Sequence, residues 1–529
     1  MEDHWPPLIR ALTDPARFPH PVERVEVVET HISYVLLTGD YAYKIKKPLD
    51  LGFLDFSTLA KRREACEEEV RINRRTAPDL YLGVVPITGS PTDPGLEGDG
   101  EPFEVAVRMA QFDPAQRADR CLERGELTAE HLRGLGRRVA DLHEQAAGPS
   151  ADEDFGTFEA VRANQRDNLA ELGGVRERLG VAKPRLEGLE RWVADFLAGH
   201  EALFRERRAG GRVRECHGDL HLANLVLHGE ALLPFDAIEF NPALRYIDVM
   251  ADAAFTWMDL RFRGRPDLGA HFLNRYLEGT GDYPGARLLS FYTVYRALVR
   301  AKVAGIQAAE AAGDDPEEAT ALGERGARYF ALAEEAAHAG RPLLVITRGV
   351  TGTGKSHLSG ELLGELAGIR IRSDVERKRL AGLGREARSG SEVGAGLYSA
   401  ELTGRTYARL LEMARPVLDG GLPVLLDATF LDGDRREEAR ALAREAGVPF
   451  AILSLEAPEA TIREWLRERA RAGGAVSEGD EAVLDHQLAT QDPLTAAELP
   501  FAVRVDPGAG PGIADIARRL RETARAPAD

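Results

Sequence analysis

A chain of 529 residues, 44% hydrophobic and 29% charged, is too long for one ordinary core and apolar enough to fill two or three. No apolar run approaches the roughly 20 residues that span a bilayer, and the opening MEDHWPPLIR lacks the basic-then-apolar order of a secretory signal, so a cytoplasmic protein without a membrane span is expected. The net charge of −18, most of it before Arg341, argues against a nucleic-acid partner and would favour a cationic small molecule there.

Three cysteines, Cys66, Cys121 and Cys216, are too few and scattered for a disulfide framework or a thiolate zinc site and read as reduced structural thiols. From Val25 to Tyr43 the sequence alternates apolar and polar residues around Gly39-Asp40, which predicts two strands of a hairpin. A charged helical stretch from Ser57 to Arg75 follows. Then LGVVPIT and FEVAVRMAQF predict a second hairpin, with the turn-rich SPTDPGLEGDGEP at its tip. Beyond Leu127 the spacing turns helical. The strip HGDLHLAN, His217 to Asn224, interrupts this region, and NLVLH and ALLPFD suit a short hairpin. A polar, alanine-rich stretch predicts a helical hinge leading to a boundary near Gly340. The remainder alternates strand and helix, the pattern of a parallel sheet covered by helices.

The spacing of Asp219 and Asn224 matches the Asp and Asn of the protein-kinase catalytic loop. Asp219 would accept the proton of an acceptor hydroxyl, Asn224 would hold magnesium, and Asp236 at the end of ALLPFD would be the second magnesium ligand. Together these residues resemble the aminoglycoside phosphotransferase and choline kinase branch of the kinase-like fold. The resemblance covers about Val25 to Ile306 and implies ATP-dependent phosphorylation of a small-molecule hydroxyl. A strand lysine should then meet the nucleotide phosphates, and YAYKIKK offers Lys44 and Lys46 on one face, with Lys44 preferred. Its carboxylate partner should come from EACEEEVRIN, with Glu69 preferred over Glu68. No G-x-G-x-x-G precedes the lysine. His217 and His221 read as braces of the loop, and Asp248 in RYIDVMAD resembles the family's loop-anchoring aspartate.

In the second half, GVTGTGKS follows the apolar run LLVIT and opens a helix, as a P-loop requires. Gly349, Gly352 and Gly354 let backbone N–H groups point at phosphates, Lys355 reaches the β and γ oxygens, and Ser356 binds magnesium. RSDVERKRL supplies Asp374 and Arg377, resembling small P-loop kinases that include polynucleotide kinases and zeta-toxin-like enzymes. That resemblance makes Asp374 the base and Arg377 a binder of acceptor charge. Asp427 in PVLLDATF takes a magnesium-orienting position. Arg463, Arg467 and Arg471, four residues apart on one helix, look like lid arginines that close over the phosphates. The whole order resembles bacterial fusions of a phosphotransferase-like domain with a P-loop kinase. The expected fold is therefore a kinase-like α+β domain at residues 1–340 followed by an α/β P-loop domain at 341–529. ATP and Mg²⁺ are the expected cofactors, with nucleotide and a small-molecule hydroxyl compound as substrates.

Overall fold

The first strands form a six-stranded antiparallel sheet in the order β1-β2-β3-β6-β4-β5. They are β1 (Glu26–Glu29), β2 (Ser33–Leu37), β3 (Tyr41–Lys46), β4 (Tyr81–Ser90), β5 (Asp93–Leu96) and β6 (Glu104–Ala110). This computed structural model describes residues 5–50, 54–338, 340–384, 399–472, 481–510 and 512–525. The predicted first hairpin is β2 and β3, but the run ahead of it is interrupted: Thr30 N–H donates to Ser33 O at 2.9 Å, a turn that makes β1 a separate strand. In the second hairpin, β4 pairs with β6, and the turn-rich tip holds a further strand, β5, folded back on β4.

One helix, Leu59–Asn73, packs on this sheet, capped by Thr58, whose hydroxyl accepts from Lys61 N–H. Its buried residues, Arg62, Ala65, Cys66, Glu69, Val70 and Asn73, recur at helical spacing. That face meets Val105, Val107 and Met109 of β6. The stripe therefore aims Glu69 at the sheet and leaves Glu68 beside Arg71 and Arg245. Two small ladders follow: β7 (Val213–Glu215) with β10 (Tyr246–Asp248), and the predicted hairpin β8 (Leu225–His228) with β9 (Ala231–Pro234).

Five strands in the later part form an all-parallel sheet: β11 (Leu344–Arg348), β12 (Ile369–Arg372), β13 (Val424–Asp427), β14 (Phe450–Leu455) and β15 (Ala502–Val505). Their order is β12-β13-β11-β14-β15. The helices Lys355–Leu366 and Ile513–Arg525 cover one face through Leu358, Leu362, Ile516 and Leu520. Burying each such side chain contributes roughly 1.5–3 kcal/mol.

By compactness the chain divides into Met1–Asn164 with Leu197–Asp259, and Gln165–Phe196 with Leu260–Asp529. The second unit thus contains the parallel sheet and the helices that precede it. The alanine-rich stretch before Gly340 is the helix Pro316–Ala337, packed on the preceding helix Leu289–Ala311. Asp315 caps the later helix, its side chain accepting from Glu318 N–H, and Pro316 at the first helical position fixes the reversal. Glycines make the close approach possible: a Cβ on Gly326 would lie 3.3 Å from Ala304 Cβ and 2.5 Å from Leu179. Among the described residues, no helix is long and apolar enough to cross a membrane.

Candidate functional site

Residues 44 and 46 of β3 project to one face of the pleated strand, and both lysines reach the same carboxylate. Lys44 Nζ lies 2.8 Å from Glu69 Oε1 and 2.7 Å from Asp236 Oδ1. Lys46 Nζ lies 2.7 Å from Glu69 Oε2 and also bonds Glu239. Burial pulls the Lys44 ammonium down, but Asp236, Glu69 and Glu239 outweigh it and hold its pKa well above the usual lysine value. Burial likewise works against ionised Glu69, yet Lys44 and Lys46 hold its carboxyl at about 2. Lys44, Glu69 and Asp236 are therefore gathered in one cluster, and Lys46 with Glu239 forms a second pair behind it.

Asp219 and Asn224 touch directly. Asn224 Nδ2 donates to Asp219 Oδ2 at 2.9 Å and to its backbone carbonyl at 3.0 Å, so the amide oxygen takes no part in that pairing. Phe235 N–H donates to Asn224 O at 3.0 Å, so Asn224 and Asp236 sit at neighbouring positions of the β8–β9 hairpin. Asp236 adopts a left-handed backbone, φ +61°. Its amide donates to the Tyr81 hydroxyl at 3.0 Å, and Ala237 N–H donates to Asn73 Oδ1 at 2.9 Å. The side chain of Asp236 remains 43% exposed. One amide oxygen and one carboxylate are hard oxygen donors and suit magnesium.

The catalytic loop hangs from one face of the helix Val249–Phe262. Asp252 accepts His217 N–H at 3.0 Å and Gly218 N–H at 2.9 Å, Thr256 Oγ1 donates to Leu220 O at 2.7 Å, and Asp259 accepts Leu222 N–H at 2.9 Å. His143 Nε2 lies 3.1 Å from Asp252 Oδ2. The anchoring aspartate is thus Asp252 and not Asp248, as the sequence suggested. Asp248 instead pairs with Arg207 through two contacts of 2.7 Å and accepts Met250 N–H at the helix start. Asp248 ends strand β10, paired with Val213, while Asp252 lies inside the helix that follows, and four residues of sequence do not show where the strand stops and the helix begins. Burial depresses the His217 pKa. The neutral ring donates from Nε2 to Phe235 O at 2.9 Å and accepts Asp219 N–H at Nδ1, 3.3 Å. His217 therefore ties the loop to the segment that carries Asp236, and His221 Nε2 lies 3.3 Å from Asp219 Oδ2. All three cysteines are buried, and none is in a disulfide.

At the P-loop, Gly352 has φ +83° and Gly354 φ +77°, conformations that favour glycine. A Cβ on Gly352 would also lie 2.8 Å from Leu466. Lys355 Nζ donates to Val350 O at 2.7 Å. Asp427 receives Ser356 Oγ at 3.4 Å and Ser359 Oγ at 3.0 Å. Asp374 stands in the first turn of the helix Ser373–Leu380, directly after β12, and Arg377 is buried one turn on. Arg463 and Arg467 do not meet the P-loop. Ile462 and Leu466 of their helix pack against Val350, which turns Arg463 toward Glu459, Glu481 and Asp485, and Arg467 toward Glu481. Arg471 is exposed on the same helix.

Several residues of these sites escaped the sequence reading. Asp252, Thr256 and Asp259 form a polar stripe at helical spacing inside an otherwise apolar helix, a signal that was readable. Tyr81, Asn73 and Gln487, whose Oε1 accepts Thr351 N–H of the P-loop at 2.7 Å, leave no comparable pattern.

A catalytic-loop constellation on one sheet and a P-loop on another define a phosphotransferase domain joined to a P-loop kinase domain. Residues 53–289 match the phosphotransferase enzyme family, and residues 344–494 match an AAA domain family. The chain is 34% identical over 462 residues to the uncharacterized proteins Rv2004c of Mycobacterium tuberculosis and Mb2027c of Mycobacterium bovis, covering 86% of this chain and 88% of each relative. The chain belongs to the family of these proteins. Among solved structures, it is similar to choline kinase from Cryptosporidium parvum, at 12% identity and a TM-score of 0.39 over 62% of this chain and 95% of that one. It is similar also to the Mycobacterium tuberculosis APS kinase CysC, at 20% identity and a TM-score of 0.25 over 35% of this chain and 97% of that one.

Proposed function

We propose that this protein is a two-headed, magnesium- and ATP-dependent kinase whose first site phosphorylates the hydroxyl of a small molecule and whose P-loop site phosphorylates a second acceptor. The observation that carries the reading is the convergence of Lys44, Glu69 and Asp236 in one ion-pair cluster, one hairpin away from the paired Asp219 and Asn224. In the first site, Lys44 binds nucleotide phosphate, held by Glu69, and Asp219 takes the acceptor proton. The acceptor oxygen bonds to the γ-phosphorus as the bond from phosphorus to the ADP oxygen breaks, and the proton passes through Asp219 to solvent. Asn224 and Asp236 hold magnesium, which neutralises charge on the phosphates when bound. In the second site, Lys355 and Ser356 serve the nucleotide, Asp427 orients magnesium, and Asp374 is the base.

The test is ADP release from Mg-ATP by the full chain, with amino alcohols, aminoglycosides, sugars and nucleosides added singly. Acceptor-stimulated release should be lost with Asp219→Asn for one acceptor and with Asp374→Asn for another. Turnover that persists in the folded double variant would refute the reading.

A second reading, in which nucleotide at the P-loop regulates the first site, is favoured by one observation. Asn274, inside the segment that matches the phosphotransferase family, bonds the edge strand β12 of the P-loop sheet. Under that reading, Lys355→Ala shifts the first site's kinetics while the P-loop shows no acceptor-dependent turnover.

A further inference from the structure

Strand β12 ends at Arg372, whose Cα pairs with that of Asp427 at the end of β13. The Arg372 side chain is only 9% exposed. Its Nε is enclosed and has no hydrogen-bond partner. Its ion pair, with Asp427 Oδ2, spans 3.8 Å, beyond hydrogen-bond reach. Asp427 meanwhile faces Ser356 and Ser359, and Arg370 Nη1 lies 3.9 Å from it. A guanidinium carries five donors in a rigid fork that matches an oxyanion, and a buried cation without hydrogen bonds is costly. Nothing in the donor-site chemistry described above uses this group.

Its place in the sheet indicates what does. The order β12-β13-β11 puts Arg372 two strands from β11, whose end carries the P-loop. Strands lie about 4.8 Å apart, so roughly 10 Å separate the two strand ends. Strand β13 lies between them, so the Arg372 guanidinium approaches Asp427, 3.8 Å away, from the side opposite the P-loop strand, which suits an acceptor. Asp374, the base in the proposed function, follows two residues on.

We propose that Arg372 binds an oxyanion of the acceptor at the P-loop site, so that this site takes a small hydroxyl compound bearing a carboxylate, phosphate or sulfate group. The proposal rests on the reading of this domain as a kinase. The acceptor hydroxyl oxygen bonds to the γ-phosphorus, the bond from that phosphorus to the ADP oxygen breaks with its electron pair going to ADP, and the proton goes to Asp374. The oxyanion on Arg372 is unchanged by the transfer and fixes which hydroxyl faces Asp374.

The probe is inorganic sulfate. The full chain, saturated with magnesium and a non-hydrolysable ATP analogue, is dialysed against labelled sulfate at constant ionic strength, as wild type, Arg372→Gln, Arg372→Lys and Lys355→Ala. Wild type should hold one sulfate more than Arg372→Gln, with the analogue still bound. Arg372→Lys keeps the charge but loses the fork, and should bind that sulfate about tenfold more weakly. This variant carries the test if the glutamine variant misfolds by circular dichroism. Equal sulfate in wild type and both Arg372 variants overturns the proposal, as does sulfate that displaces the analogue. Analogue binding indifferent to Lys355→Ala overturns the kinase reading of the site itself. Lys355-dependent analogue without Arg372-dependent sulfate overturns only the acceptor inference.

Discussion

The edge of a parallel sheet exposes backbone groups that ordinarily need a neighbouring strand, and here one side chain supplies the pairing for β12. Asn274, buried on the helix Pro266–Thr280, donates from Nδ2 to Gly368 O at 2.7 Å and accepts Arg370 N–H on Oδ1 at 2.6 Å. Asn274→Leu keeps the branched heavy-atom shape and removes both bonds. It leaves a buried carbonyl and a buried amide unsatisfied, at about 1–3 kcal/mol each, or about 2–6 kcal/mol together. At 1.4 kcal/mol per tenfold, exchange of the Arg370 amide with deuterated water should accelerate at least about 30-fold if β12 opens locally. The assay is native-state hydrogen exchange read at peptides covering β12, because the loss is local to that sheet edge. Turnover at the P-loop site should fall as well, since Asp374 follows directly on β12. Unchanged protection of Arg370 in a folded Asn274→Leu variant would refute the reasoning, because it would mean that another group holds the edge.

The remaining expectations concern the first unit. Glu69 is depressed from 4.5 to about 2 in the folded protein, so its ionised form contributes stability that is fully present above the unfolded carboxyl pKa and lost as pH falls from about 4.5 toward 2. Urea unfolding of wild type against Glu69→Gln should therefore converge across that window and diverge above it. Lys46→Met strips the counter-charge from Glu239 and from one oxygen of Glu69, and breaking such a buried pair costs about 3–5 kcal/mol. Adding Glu239→Gln should return a large part of that loss in a double-mutant cycle of denaturant midpoints. Asp252→Ala removes two hydrogen bonds from the catalytic loop. First-site kcat should fall about 100-fold or more with a smaller change in the KM for ATP, as expected when a base is displaced and binding is not.

The chemistry-bearing strips were legible because loops that handle phosphates fix residue type and spacing together. The Asp219–Asn224 separation and GVTGTGKS single out residues that the structure brings into contact, Asp219 with Asn224 and Ser356 with Asp427. Glu69 was readable in principle from the buried stripe of its helix, which Glu68 does not join. The lid arginines show where such reading stops. Their four-residue spacing puts Arg463 and Arg467 on one face, but spacing does not say which face packs. Ile462 and Leu466 occupy the P-loop side, so the arginines meet Glu481 and Asp485 of a helix whose placement no local pattern encodes. Asp248 and Asp252 show the same limit at the scale of one turn. Asn274 pairs with residues 368 and 370 across about a hundred positions, and a lone asparagine in a helical pattern carries no sign of that partner.

The two sites solve one electrostatic problem in different ways. Each needs a lysine ready for phosphate, and each satisfies it from within the protein: Lys44 by Glu69 and Asp236, Lys355 by the carbonyl of Val350. Under the proposed function, nucleotide at the first site would take the place of the bond from Lys44 to Asp236, and the freed carboxylate would be available to hold magnesium. In the P-loop site, Lys355 donates to the Val350 carbonyl, and Asp427 is positioned separately by Ser356 and Ser359. Magnesium and nucleotide should therefore bind with strong mutual dependence at the first site and weaker dependence at the second. Titrating each site's nucleotide with and without magnesium, in Lys355→Ala and Lys44→Ala backgrounds, measures that difference. Equal coupling at both sites would contradict the exchange role assigned to Asp236.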